Sequence, residues 1–215
     1  NTCTSDLDAW VKLFSQLLEA AGANLTKAQL YDMLYFQALE GDADCGGLVS
    51  YNCYSGEPVT GLEEGRPLLV RQPENKLTLP NFMRAQLYAA MATLQIGMEL
   101  LWAEDVQVEK LYGHGGLFKT KGVGQRLLAG ALGVPVAVME TAGEGGPWGM
   151  ALLAAYRVRR EAGETLEAYL KDKVFAGASG ITLDPDPADH EGFEAYTRRF
   201  TQALEAERAA VSHLK

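Results

Sequence analysis

VQVEKLYGHGGLFKTKGVGQRLLAGALGVPVAVMETAGEGGPWGMALLAAY, residues 106–156, is the part of the sequence that decides the fold. It has the pattern of a strand, a glycine turn and a helix, followed by the same three elements again. The glycine turns are residues 113–116 (GHGG) and 143–146 (GEGG). Strands that alternate with helices predict an α/β architecture, in which right-handed crossovers place the strands side by side in one sheet.

The two glycine turns are also where a ligand is expected. Glycine has no Cβ, so the backbone can come close to a bound molecule. The helix that follows presents unpaired N–H groups and the positive end of its dipole to an anion. Turns of this kind at successive strand ends are typical of a nucleotide cleft at one edge of a sheet. The alternative for Gly115 and Gly116 is a tight strand-to-helix turn without a ligand.

Two better-known phosphate motifs do not match. Residues 113–120 follow the P-loop pattern GxxxxGK[ST] except at Phe118, where the motif requires a glycine. A phenylalanine hinders the wrapping of the loop around a phosphate, so we reject a Walker A motif. For Lys119 and Thr120 the alternatives to ligand contact are a solvated lysine and a helix cap, and His114 is interpreted as a turn residue rather than a catalytic base. A dinucleotide-dependent enzyme is disfavoured because GxGxxG is missing.

The N-terminal part of the chain predicts two helices. Apolar residues recur at three- and four-residue intervals over residues 7–21, which indicates one buried stripe. Ser5, with Asp8 three residues later, is predicted to cap the start of this helix. Thr26 and Gln29 repeat the capping pattern at the start of the second helix.

The longest helix is predicted to begin around Thr78 and Pro80, since proline is tolerated in a first turn. Its methionine-rich stripe, which runs from Phe82 to Leu101, is expected to form core rather than to bind a cofactor. The other elements are short strands at 48–51, 68–70, 106–111 and 134–138, helices at 123–131, 147–160 (the last core helix) and 165–174, a loop at 178–189, and an amphipathic helix at 193–214. The central region then holds fewer strands than the roughly 4–6 of a typical open sheet, so we expect part of the sheet to lie upstream of Asn1.

Composition narrows the class of protein. The 215 residues are 47% hydrophobic and 22% charged, with a formal net charge of −9. Such a charge argues against nucleic acid, which is bound mainly through clustered cations. No run of residues is long and apolar enough to span a bilayer, and there is no cationic leader. We therefore expect a cytoplasmic protein with no membrane partner, whose three cysteines stay reduced. The cysteines and histidines do not have the spacing of metal ligands. The sequence lacks an initiator Met, which suggests a fragment or a processed product.

An ordered set of motifs resembles the C-terminal domain of the FGGY carbohydrate kinases, the family of xylulokinase, ribulokinase and glycerol kinase. The matching segments are residues 115–117 (GGL), 125–128 (QRLL), 133–136 (GVPV), 140–141 (ET) and 148–155 (WGMALLAA). The resemblance covers roughly residues 1–160. It implies an actin-like ATPase (ribonuclease-H-like) domain that is incomplete at its N-terminal side and has extra helices at both ends.

The resemblance also implies a site. The residues that match the family's nucleotide loop, or lie on the same turn and helix start, are Gly115, Gly116, Leu117, Lys119, Thr120 and Gln125. ATP and Mg²⁺ are the expected cofactors. The catalytic base, an aspartate in the family, is expected upstream of Asn1, so no catalytic residue is assigned in this chain.

The expected function is therefore that of the C-terminal nucleotide-binding part of an ATP-dependent sugar kinase. Such a kinase transfers the γ-phosphate to a hydroxyl of a pentulose or related sugar, of xylulose type. Residues 1–176 are assigned to the ATP-binding domain and residues 177–215 to a C-terminal loop and amphipathic helix. The expected partners are the N-terminal sugar-binding domain of the parent kinase and the small-molecule sugar, and exposed sheet edges could drive formation of a homodimer. This chain alone is expected to be inactive. The alternative is a non-catalytic, actin-like nucleotide-binding or regulatory module.

Overall fold

The computed structural model describes residues 4–140, 145–176 and 179–214. The helices in these ranges are α1 (Ser5–Ala20), α2 (Lys27–Leu39), α3 (Leu79–Ala103), α4 (Val123–Leu132), α5 (Gly145–Arg159), α6 (Leu166–Tyr169), α7 (Pro187–Gln202) and α8 (Leu204–His213). The strands are β1 (Val49–Tyr51), β2 (Leu68–Val70), β3 (Leu111–Gly113), β4 (Val136–Met139) and β5 (Gly180–Leu183). None of the described helices combines the length and the apolar character needed to cross a membrane.

The strands form two small sheets. Strands β1 and β2 pair antiparallel, with Ser50 opposite Leu69. In the second sheet the order is β3-β4-β5, with β3 parallel to β4 and β5 antiparallel to it. The parallel pair is joined through α4, as the strand–turn–helix–strand pattern predicted. The α/β class is therefore confirmed.

One of the two predicted capping boxes forms, and the longest helix begins near Thr78 and Pro80 as predicted. Thr26 and Gln29 form a complete capping box at the start of α2, and Thr78 caps α3 by accepting a hydrogen bond from the Asn81 N–H. The predicted Ser5–Asp8 box does not form, because α1 already includes Ser5. The Asp8 carboxylate instead accepts a hydrogen bond from Tyr31 of α2.

Helix α3 is the central element of the core. It packs against α2, α4 and α7. The methionine stripe is core, as predicted, since Met83, Met91 and Met98 are all buried. Leu94 and Leu101 of the same predicted stripe are exposed. This part of the prediction was wrong, because the C-terminal half of α3 extends beyond the elements that cover its first half.

Two C-terminal predictions need correction. Residues 180–183, predicted as loop, form β5 and hydrogen-bond to β4. The glycines and prolines around this segment suggested a loop, but Ile181 and Thr182 are β-branched residues that suit a strand. The amphipathic helix that follows is confirmed, although it is divided at Ala203 into α7 and α8.

Helix α5 is present but is not a core helix. All the side chains described over residues 146–159 are exposed or half-buried. Trp148, predicted as a core aromatic, is exposed, and so are Met150, Leu153 and Val158, the last at 83%. Similarly, Val106 is exposed and lies before the start of β3, so this strand is shorter than predicted. In both cases apolar residues are present without a described element to cover them.

The described cysteines are reduced and buried. Cys45 and Cys53 are free thiols, as predicted, whereas Cys3 lies outside the described residues. Burial raises the pKa of the Cys53 thiol to about 11, and the charge of Glu207 adds to this effect. The Cys53 thiol therefore stays protonated at neutral pH.

A buried carboxyl group links helix α8 to the segment that precedes β2. Glu207 is 0% exposed. Its Oε1 accepts a hydrogen bond from the Arg66 N–H at 2.6 Å, and its Oε2 has no hydrogen-bond partner among the described residues. Burial raises the pKa of Glu207 above its usual value of 4.5, and the hydrogen bond from Arg66 offsets only part of this effect. The neighbouring Tyr51 hydroxyl also has a raised pKa, first through burial and then through Glu207.

We expect Glu207→Gln to be more stable than the wild type at pH 8, with a difference that shrinks as the pH falls towards 4.5. Because the folded-state pKa is raised, the stabilising contribution of the protonated carboxyl is complete below the unfolded-state pKa. It is lost as the pH rises through the folded-state pKa. Urea midpoints measured across this range test the prediction, with Glu205→Gln as the control because Glu205 lies exposed on the same helix. A difference that is constant with pH would contradict it.

Candidate functional site

The first glycine turn forms a sharp corner at the end of β3. Gly115 has φ of 97° and ψ of −170°, a backbone conformation that L side chains rarely adopt. A single 3₁₀ turn, Gly116–Phe118, follows directly. The corner is closed by hydrogen bonds from the Phe118 N–H to the Gly115 carbonyl and from the Lys119 N–H to the Gly116 carbonyl, both at 3.1 Å.

The backbone of Gly115 and Gly116 is open on its outer side. A Cβ built on either residue meets no other heavy atom within 4 Å, apart from its chain neighbours. The glycines on each side of the corner are different. A Cβ on Gly113 would lie 2.5 Å from the Phe118 ring, and one on Gly124 would lie 2.5 Å from the Leu117 carbonyl oxygen. Gly113 and Gly124 therefore serve packing, whereas Gly115 and Gly116 leave uncovered main chain.

Leu117 and Phe118, the two residues after the glycines, pack against the residues on each side of the corner. The Phe118 ring lies over Gly113, and Leu117 covers the start of α4. The first three residues of α4, including Gln125, are buried beneath this turn. The exposed main chain at this corner therefore belongs to the glycines rather than to the first turn of α4.

Thr120 and Gln125 make hydrogen bonds inside the protein. Thr120 is 5% exposed, and its hydroxyl donates to Asp32 Oδ1 of α2 at 2.7 Å. Gln125 is 4% exposed, and its amide nitrogen donates to the carbonyls of Val136 at 2.7 Å and Ile181 at 2.6 Å. The Gln125 side chain therefore links β4 to β5 through these two carbonyls.

Of the six candidate residues, Gly116 and Lys119 are exposed, whereas Gly115 and Leu117 are half-buried. Thr120 and Gln125 are buried. Contact of any of these residues with a nucleotide stays a prediction. Asp32 was missed, and no local signal could have found it, because it is 88 residues from Thr120 in the chain.

The second glycine turn is only partly described. Thr141, Gly143 and Glu144 lie outside the described residues. Glu140 is exposed and accepts a hydrogen bond from the Ser179 hydroxyl, next to the start of β5. His114 is exposed on the first turn.

Two concave surfaces lie away from the glycine corner. A groove of about 620 Å³ lies between α3 and α7 and is bordered by Gln95, Glu99 and Arg198. Another, of about 510 Å³, is bordered by Asp42, Asp44 and other residues. Neither is bordered by residues 115–120, so these concave surfaces and the glycine corner are different places. We prefer the glycine corner, because main-chain N–H groups in a turn can donate hydrogen bonds to phosphate oxygens. Over the described ranges, no cluster of three or more His, Cys, Asp or Glu residues is arranged to hold a metal ion.

Comparison with known proteins identifies the fold. The model of the FGGY family of carbohydrate kinases, C-terminal domain, matches residues 1–158. No curated protein matches the chain. Among solved structures, xylulose kinase from Rhodospirillum rubrum is similar with a TM-score of 0.60 and 19% identity, over 93% of this chain and 37% of that one. Glycerol kinase from Plasmodium falciparum, solved with ADP, has a TM-score of 0.63 and 16% identity, over 90% of this chain and 36% of that one.

A gluconate kinase from Lactobacillus acidophilus is similar to the same degree, with a TM-score of 0.59 and 16% identity over 86% of this chain and 35% of its own. The chain therefore spans little more than a third of the length of these kinases. At such low identity the similarity concerns the fold. It confirms the prediction of an actin-like ATPase fold, represented in part.

Proposed function

The chain belongs to the FGGY family of carbohydrate kinases, of which it carries the C-terminal domain, and from this premise we propose that it binds ATP for phosphoryl transfer to a sugar hydroxyl. In this proposal residues 1–176 form the ATP-binding domain and residues 177–215 extend it. A kinase that consumes ATP works where ATP is abundant, so we also propose a cytoplasmic location.

The single observation that supports ATP binding is the uncovered main chain of Gly115 and Gly116. A substituent on either glycine would project into the space where a ligand would lie, and the absence of a Cβ keeps this space free. The main-chain N–H groups of such a corner suit an anion, because they can donate to phosphate oxygens. Exposed Lys119 adds a positive charge to the same turn. Thr120 and Gln125 act in this proposal by fixing the turn and the sheet beneath it.

ATP, when bound, supplies the phosphoryl group, and the chain supplies the surface that orients it. A magnesium ion is commonly held by nucleotide phosphates together with only one or two carboxylates. Mg²⁺ therefore stays part of the proposal, and no residue of this chain is assigned to it.

The acceptor is proposed to be a pentulose or related sugar of xylulose type. This rests on the similarity to xylulose kinases, although gluconate and glycerol kinases share the fold. The sugar pocket and the catalytic base are proposed to belong to an N-terminal sugar-binding domain, and closure of the two domains would bring the hydroxyl to the γ-phosphate. For this reason we expect no sugar-dependent ATP turnover from the 215 residues alone.

We infer from the exposed apolar side chains of α5 that this helix contacts another part of a protein. Trp148, Met150, Leu153 and Val158 lie uncovered on α5, and exposed apolar patches often mark interaction sites. We propose that the remainder of the kinase covers α5, with a second copy of the chain as the alternative occupant.

Calorimetric titration with ATP tests the proposed site. We expect the wild type to bind and Gly116→Asp to bind at least about tenfold more weakly, because a carboxylate placed beside the open main chain repels phosphate and occupies its space. Gly97→Asp is the matched control, since Gly97 is also open, lacks a positive φ and lies away on α3. The proposal fails if the wild type does not bind an adenine nucleotide, or if Gly116→Asp binds as well as the wild type.

A further inference from the structure

Thr120 connects the turn that follows the glycine corner to a distant helix. Its hydroxyl donates to Asp32 Oδ1 at 2.7 Å. Thr120 lies between the 3₁₀ turn and α4, in a segment where Lys119, Lys121 and Gly122 are exposed. Its own burial shows that the side chain points inward, towards α2.

The position of helix α2, which carries Asp32, is fixed by its cap and by its packing. The capping box fixes its start, and Leu30, Leu34 and Ala38 are buried against the core. Asp32 lies on the opposite, exposed side, where its carboxylate can accept the hydroxyl of Thr120.

The residue next to Asp32 makes a second contact of the same kind. The Tyr31 hydroxyl donates to Asp8 of α1. Adjacent residues of α2 therefore hold α1 on one side and the segment after the glycine corner on the other. Thr120 is only four residues from Gly116, so movement of Thr120 would move the open main chain with it.

We propose that Asp32 is a positioning residue for the nucleotide: through Thr120 it keeps the main chain of Gly115 and Gly116 in the shape that receives a phosphate. This inference rests on the proposed ATP site. Asp32 needs no contact with the nucleotide, and its role depends on an acceptor oxygen rather than on its negative charge.

Four single variants and one double variant test this role by titration with ATP and ADP. Asp32→Ala and Thr120→Val remove the hydrogen bond, and each is expected to weaken binding about fivefold to tenfold, the range that corresponds to one hydrogen bond. The double variant is expected to bind no more weakly than either single variant, because both remove the same interaction. Asp32→Asn and Thr120→Ser keep an acceptor and a donor, and they are expected to bind like the wild type.

A control separates positioning from a general loss of stability. Glu19→Ala removes a hydrogen bond between a carboxylate and a hydroxyl at the surface, that of Glu19 with Ser15 at 2.9 Å, and binding is expected to be unchanged. Thermal unfolding of all variants is measured alongside. If the wild type binds and Asp32→Ala binds equally well, the inference about Asp32 is wrong while the proposed function stands. Additive losses in the double variant would also contradict it, and failure of the wild type to bind would overturn both proposals.

Discussion

Replacing Asp189 with alanine is expected to lower the free energy of unfolding by about 3–5 kcal/mol, the usual cost of leaving a buried charge without its partner. Asp189 and Arg84 are 4% and 2% exposed at their side chains and form an ion pair. The second carboxylate oxygen of Asp189 accepts a hydrogen bond from Arg126 at 2.8 Å. One carboxylate therefore joins α3, α4 and α7.

Apart from Asp189, the hydrogen-bond partners recorded for the Arg84 guanidinium carry no charge. Its remaining hydrogen bonds go to the Gly41 carbonyl at 2.9 Å and the Tyr88 hydroxyl at 3.2 Å, which are neutral groups. Without Asp189 the positive charge would stay buried among them. Burial of an unpaired charge costs far more than loss of a surface pair.

Urea unfolding followed by circular dichroism measures this effect. Glu205→Ala is the control, because the Glu205–Arg208 pair at 3.1 Å is exposed and its loss is expected to cost less than about 1 kcal/mol. The double variant Arg84→Met with Asp189→Leu removes both charges and should recover much of the lost stability. If Asp189→Ala costs no more than the Glu205 control, the buried pair does not have the role given to it here.

Replacing Gln125 with methionine is expected to cost about 2–4 kcal/mol, since one buried and one half-buried carbonyl lose a donor and each lost partner costs about 1–3 kcal/mol. Methionine has a similar length, so packing changes little. The loss should be concentrated where Gln125 joins β4 to β5, at the carbonyls of Val136 and Ile181. Hydrogen exchange at β5 is therefore expected to accelerate more than exchange at β1.

Titration with ATP distinguishes this role from direct ligand contact. Gln202→Met, at an exposed glutamine at the end of α7, is the stability control. A Gln125→Met protein that keeps its stability but loses affinity for ATP would show that the amide serves the ligand, contrary to our assignment. A stability loss below about 1 kcal/mol would also contradict it.

Sequence patterns were sufficient where the structure depends on neighbours along the chain. The capping box at Thr26, the start of α3 near Thr78 and the helix at Val123–Leu132 all follow from residues within one or two turns. Patterns failed where a partner had to be known. Residues 180–183 become a strand because β4 offers an edge to pair with, and α5 is exposed although its residues are apolar, because the described chain places nothing over it.

The sequence by itself determined the α/β class, the family and the position of the glycine corner. Each of these depends on local patterns: the alternation of strands and helices, the ordered motifs and the glycine turn. Only the tertiary structure decided how this corner is held. Thr120 meets Asp32 across 88 residues, Gln125 meets Ile181 across 56, and Arg84 meets Asp189 across 105. Such contacts depend on how helices and strands far apart in the chain pack together, and the spacing of residues along the sequence carries no record of that packing.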